Sequence, residues 1–308
     1  FLSMFKSLSL KVILFGFIFT FFSSFGQSFF IGLFNPSVRD ALNISHGQFG
    51  SIYATATLLS SLLFIWVGKK IDDINVLRFA LYVTVLLSFS CFFFSKISSI
   101  VFLFIAIFLM RISGQGMMSH TASTTISRYF TKSRGKALSI GWFGLSVAEF
   151  ILPVTIIYLL TIYNWQNIWI FISLLVLVFL PIASYFLIKE LNLDSRENAE
   201  NNEVKNKDIK QWARIEVIKD YRFYIISANL LGMPWIATGV FVYQSFITSS
   251  KEWGEYVIAQ SFMVYSLLSV ITLLISGILI DKFTSRKLLI FMNIPCLLYT
   301  SDAADDFT

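Results

Sequence analysis

Apolar runs of about 20 residues, each long enough to cross the hydrocarbon core of a bilayer as a helix, recur from one end of this chain to the other. They lie near 11–34, 48–67, 77–95, 98–121, 137–160, 167–188, 222–247 and 256–280, and a ninth run begins near Arg286. A soluble domain has no core large enough for this much apolar surface: 56% of the residues are hydrophobic, 34 are Phe and only 14% are charged. Only helices and closed barrels satisfy every backbone N–H and C=O in lipid. Barrel strands alternate apolar and polar residues, whereas these runs are continuously apolar. The chain is therefore read as an all-α integral membrane protein with the lipid bilayer as its first partner.

Lys6 and Lys11 precede the first run, which passes through Ser23-Ser24-Phe25-Gly26, and fit either a leader peptide or an ordinary first span. Cys91 and Cys296 give neither a disulfide framework nor metal-ligand spacing, so no metal or other cofactor is expected. The basic residues set the orientation. On the side of the N-terminus stand Lys6, Lys11, Lys69, Lys70, Arg78, Arg128, Lys132, Arg134, Lys136, Lys282, Arg286 and Lys287; the other side holds Arg39, Lys96 and Lys251. Cytoplasmic loops collect Lys and Arg, which predicts a cytoplasmic N-terminus. The net charge of +6 is a consequence of that topology, and no nucleic-acid partner is expected.

One polar stretch divides the chain. Residues 1–188 carry six spans, 189–221 form an Asn-, Glu- and Lys-rich linker, and 222–295 carry two spans and part of a third. The linker is expected to be solvated on the cytoplasmic side, with a surface helix around Trp212, Ile215 and Ile218. Residues 296–308 end in Ser301-Asp302-Ala303-Ala304-Asp305-Asp306, an acidic tail that resembles translated adapter sequence. This segment is read as non-native, and the chain as a fragment that should not transport by itself.

Two loops repeat a pattern. Gly68-Lys69-Lys70-Ile71-Asp72-Asp73 follows the second run, with Arg78 beyond it. Gly277-Ile278-Leu279-Ile280-Asp281-Lys282 follows the eighth run about 209 residues later, with Arg286 beyond it. A charged loop repeated at half-protein spacing indicates two related halves. With Arg111-Ile112-Ser113-Gly114-Gln115-Gly116 in the fourth span, these residues resemble the major facilitator superfamily over essentially all of 11–294. Asp73, Asn75 and Thr284 depart from that family's loop pattern. The resemblance implies two six-helix halves, the second incomplete here, around a central substrate site. It assigns Gly68, Asp72, Arg78, Gly277, Asp281, Lys282 and Arg286 to loops that hold one access state. It also implies that the first, fourth and seventh helices line the cavity, which makes Gln27, Gln115 and Trp235 candidate substrate contacts.

Arg111 and Glu149 are the two charges inside otherwise apolar spans, each about 12 residues from the start of its run. A mid-membrane Arg needs a partner or water, at a cost of about 2.5–3.5 kcal/mol even on the mildest scale. Glu149, at similar depth on the next span, is expected to be that partner. The pair is either a static link that fixes helix register or a working pair, with Arg111 attracting an anion and Glu149 exchanging a proton. His120 is read as a proton shuttle or a helix–helix contact, and His46 as a helix-start residue. Gly141, Gly144, Ala148 and Pro153 predict close packing and a bend in the fifth span.

No nucleophile–base motif, metalloprotease motif or phosphate-cradling loop is present, so an enzyme or an ATP-driven pump is not expected. The chain looks most similar to bacterial members near the monocarboxylate transporters. That similarity implies a monomeric transporter of the bacterial inner membrane, moving a small organic anion by proton-linked alternating access. A proton-driven multidrug exporter and, for a natively short chain, a non-transporting scaffold are the alternatives.

Overall fold

A computed structural model describes residues 7–130, 133–189, 214–254, 256–283 and 288–289. Arg286, most of the linker, the end of the ninth apolar run and the acidic tail lie outside these residues. Eight helices are long and apolar enough to cross a membrane: α1 (Leu8–Gly26), α2 (His46–Asp72), α3 (Val76–Ser95), α4 (Ile100–Tyr129), α5 (Arg134–Ile162), α6 (Trp165–Ile188), α7 (Tyr221–Val242) and α8 (Val257–Lys282). No strand occurs among the described residues. The all-α membrane fold expected from the apolar runs is the observed one.

Short polar residues start these helices where the apolar runs begin. Ser45 and Gln48 form a reciprocal capping box at α2, Asn75 Oδ1 accepts from Leu77 N–H at α3, and Asp220 accepts from Arg222 N–H at α7. Each cap satisfies an amide that the first turn would otherwise leave unpaired. Leu62, Trp66, Phe89, Phe171 and Phe186 are exposed on the outside of the bundle. Such a surface is stable only against lipid.

Inside, small and hydroxylated residues bring helices together. Ser88 on α3 and Ser173 on α6 each donate to the other's carbonyl at 2.9 Å. Thr20 Oγ1 of α1 donates to the Gly141 carbonyl of α5 at 2.7 Å. A Cβ on Gly144 would strike the Phe17 carbonyl, so this glycine is needed for the approach of α5 to α1. Hydrocarbon offers helices no hydrophobic drive to associate, and close packing of this kind replaces it.

Two departures from regular helix shape the centre. The first run is broken: a 3₁₀ turn, Ser24–Gly26, is followed by extended Gln27 (φ −81°, ψ 153°) and a short helix, Ser28–Leu33. Within α4, Arg111–Met118 winds as a π-helix. The two irregularities meet, with Gly114 against the backbone of Gly26. Backbone can be irregular at membrane depth where a neighbouring element re-satisfies it. Apolar periodicity gives no sign of either feature.

The end of the bundle bearing Lys69, Lys70, Arg128, Arg134 and Lys136 is the basic end. α8 packs along α5, and α7 touches the short helix Ser28–Leu33 at the opposite end while most of its length is exposed.

Gly114→Val is expected to destabilise the protein by about 1–3 kcal/mol through overpacking, because its side chain meets the Gly26 backbone rather than a movable side chain. Gly232→Ala, whose Cβ meets nothing within 4 Å, should leave thermal stability in detergent unchanged. Equal melting temperatures for the two variants would refute the Gly26–Gly114 contact.

Candidate functional site

Arg111 is 6% exposed and lies where the π-turn of α4 faces the break in α1. Its Nη1 donates to the Gly26 carbonyl at 3.1 Å and to Ser28 Oγ at 3.2 Å. Tyr53 of α2 donates its phenolic O–H to the same Ser28 Oγ at 2.8 Å, and its ring lies 5.4 Å from the guanidinium carbon. The arginine thus repairs the backbone of a broken helix while resting on an aromatic face.

The expected Arg111–Glu149 pair is not formed. Among the described residues the arginine has no carboxylate within ion-pair distance. Glu149, also 6% exposed, lies on the side of α5 that faces α8, where it interacts electrostatically with Tyr265. One turn earlier Ser146 meets Ser269 of α8 at 3.3 Å. Equal depth did not produce contact because the two side chains leave their helices in different directions.

A cavity of about 410 Å³ opens between α2, α4 and α5, within the usual size range of small-ligand sites. Its wall includes Thr57, Ser60 and Ser61 from α2, Arg111, Gln115, Ser119, His120 and Ser123 from α4, and Trp142 from α5. Of the candidate contacts, Arg111 and Gln115 are therefore together. Gln27 sits at the α1 break beside Arg111's partners, outside the cavity wall. Trp235 is not brought in: it is 81% exposed on α7 and is not part of the wall. His120 contacts the Gly68 carbonyl through Nε2 at 3.1 Å and meets the Phe64 ring edge-on, so it ties α4 to α2. Tyr53, Ser28, Thr57, Ser119 and Trp142 were not singled out from the sequence. The i, i+4 series Gln115, Ser119, Ser123 and the polar group Thr57, Ser60, Ser61 inside an apolar run were the available signal.

The repeated loops differ in what they grip. Asp72 pairs with Arg128 at 2.5 Å, and Arg128 also donates to the Ile71 carbonyl, so the first loop clamps α2 to α4 within one half. Asp281 reaches across to α5, where its two carboxylate oxygens accept from the Gly135 and Lys136 amides at 2.9 and 3.1 Å. An acidic side chain at a helix N-terminus satisfies free amides and favours the positive end of the dipole. Gly277 is needed there, because a Cβ would strike Ser139 Oγ. Arg78 is exposed at the start of α3, and Lys282 lies 5.6 Å from the Phe283 ring.

The sequence profile of the Major Facilitator Superfamily matches residues 16–301. The chain belongs to this superfamily. No curated protein matches it. Superfamily membership makes it an integral multi-pass membrane protein of a group of secondary transporters for small solutes, and the cavity beside Arg111 is the candidate place for such a solute.

Asp281→Ala is expected to free the two α5 amides and weaken the contact by about 0.5–2 kcal/mol. Hydrogen exchange over Gly135 and Lys136 should accelerate, with exchange at Ser88 and Ser173 unchanged. Unaltered exchange at the α5 terminus would exclude the cap.

Proposed function

We propose that this chain belongs to a transporter of small organic anions, with Arg111 as the anion-attracting group and Glu149 as the proton-exchanging group of an alternating-access cycle. The observation that carries this reading is a buried guanidinium in the cavity wall with no carboxylate partner among the described residues. A buried cation left without a counter-ion is costly, and an anionic solute supplies the missing charge. One arginine suits one carboxylate, in keeping with the similarity to monocarboxylate-transporter-like members.

Glu149 supports coupling because it lies where α5 packs against α8, and not in an ion pair among the described residues. A carboxyl group there changes its surroundings when α8 moves along α5, and its proton occupancy follows. The basic end is assigned to the cytoplasm from its excess of Lys and Arg. Asp281 then holds the cytoplasmic side closed, and the functional unit is a monomer in a bacterial inner membrane.

Calorimetric titration of the purified chain with pyruvate, against neutral acetone, tests this reading. Pyruvate should bind and acetone should not, and Arg111→Gln should weaken pyruvate by about tenfold or more, the worth of a charged hydrogen bond. Glu149→Gln should preserve binding at one pH and flatten its dependence between about pH 5 and 8. Equal binding by wild type and Arg111→Gln would sink the anion reading. A pH profile unmoved by Glu149→Gln would sink the coupling role.

A further inference from the structure

Most polar groups around the cavity are already committed. Ser60 and Ser61 donate to the Thr57 carbonyl, Trp142 Nε1 donates to Ser123 Oγ, and His120 bonds the Gly68 carbonyl. Four residues of the same wall are different. Thr57 Oγ1, Arg111 Nε, Gln115 Oε1 and Ser119 Oγ are buried without a hydrogen-bond partner from the protein, four of ten such atoms among the described residues. Arg111 and Ser119 are themselves only 6% and 9% exposed. Unpaired buried polar atoms are unfavourable, and their concentration around one cavity marks a place where binding supplies what folding does not.

The chemistry of these four atoms restricts the ligand. Arg111 only donates and is cationic, which calls for a carboxylate or another anionic oxygen. Gln115 carries a carbonyl oxygen that only accepts, and rotation of its amide by half a turn exchanges oxygen and nitrogen without removing that requirement. A plain alkyl carboxylate has no N–H or O–H to give it. Thr57 and Ser119 hydroxyls both donate and accept, so they pair with further hydroxyls. The wall combines one cationic donor, one obligatory acceptor and two hydroxyls.

We infer that the solute is a hydroxylated carboxylate, with its carboxylate on Arg111 and its hydroxyls donating to Gln115 and exchanging hydrogen bonds with Thr57 and Ser119. This rests on the anion reading and narrows it. Binding recruits Thr57, Gln115 and Ser119 by rotation about their own side-chain bonds, while Arg111 stays seated on Gly26 and Ser28. Gln115 is the residue that separates hydroxy acids from simple carboxylates, because a site with an obligatory polar partner rejects ligands that leave it unpaired.

Three solutes of equal carbon number test the inference by calorimetric titration of the whole chain in lipid nanodiscs: gluconate, hexanoate and sorbitol. Gluconate should bind about tenfold or more tightly than either of the others. Gln115→Leu should weaken gluconate by a similar factor while leaving hexanoate unchanged, a pattern that general unfolding does not produce. Ser119→Ala, which adds no bulk, should weaken gluconate alone and serves if Gln115→Leu does not fold. Hexanoate equal to gluconate, with sorbitol weaker than both, overturns the hydroxy-acid inference and leaves the anion reading standing. Sorbitol equal to gluconate overturns both, and binding of none of the three overturns the hydroxy-acid inference and leaves the anion reading to the pyruvate titration.

Discussion

The centre of this protein depends on one arginine holding together a helix that lipid would otherwise not tolerate. Where α1 breaks at Gln27, the Gly26 carbonyl leaves the regular ladder, and Arg111 Nη1 donates to it from α4. An unsatisfied carbonyl at membrane depth costs several kcal/mol, and so does an unpaired guanidinium. Their hydrogen bond satisfies the carbonyl and relieves part of the guanidinium's cost. The arrangement requires α4 to approach within backbone contact, which Gly26 and Gly114 permit, and requires Arg111 to face α1, which the π-turn of Arg111–Met118 provides. Ser28 and Tyr53 complete the seat. Arg111 is thereby held in the cavity wall by neutral dipoles, with no carboxylate partner among the described residues.

The contacts between the two halves are of similar kind at both ends. At the basic end Asp281 caps α5 through two hydrogen bonds. At the opposite end Asn35 donates to the Val242 carbonyl at 2.7 Å and Gln244 to the Phe29 carbonyl at 3.0 Å. Among the described residues each set amounts to two bonds, worth about 1 kcal/mol each between neutral groups and about 1.5–3 kcal/mol each where the Asp281 carboxylate accepts. The proposed alternating access needs neither set to dominate, since a ligand shifts an equilibrium only by its differential affinity for the two states. Carbonyl and amide partners, rather than buried ion pairs, keep both sets within that range.

Some of this was legible in the sequence and some was not, for a consistent physical reason. Hydropathy fixes which segments lie in lipid, so the eight helices stand close to the runs that announced them. The Gly-x-x-x-Asp repeats were legible because a small residue and a helix-capping acid are needed at fixed spacing. Arg111 was legible because its burial is expensive wherever it points. Direction was not legible. A span that is apolar all round carries little periodic signal to say which face meets which neighbour, so Glu149 was paired with Arg111 on depth alone. Trp235 was assigned to the cavity from its helix's role, whereas its face of α7 is exposed. The break at Gln27 and the π-winding of α4 meet at Gly26 and Gly114, and no apolar periodicity encodes the fit of two helices to each other.

Without an Arg111–Glu149 pair, the proposed link between solute and proton has to pass through a shared structural element, and α5 both lines the cavity and carries Glu149. Its 29 residues carry the Asp281 cap at Gly135 and Lys136, the Gly277 contact at Ser139 and the cavity wall at Trp142. Further along they carry the Ser269 contact at Ser146 and then Glu149. From Gly135 to Glu149 is about 21 Å of continuous helix at 1.5 Å per residue. Five of these positions, Gly135, Lys136, Ser139, Ser146 and Glu149, meet α8, so a displacement of α8 along α5 would disturb the Asp281 cap and the carboxyl group together. Trp142 bonds Ser123 of α4 and so transmits the position of α5 to the helix that carries Arg111. A continuous helix with two such neighbours is a sufficient physical basis for the proposed coupling of the Arg111 cavity to Glu149.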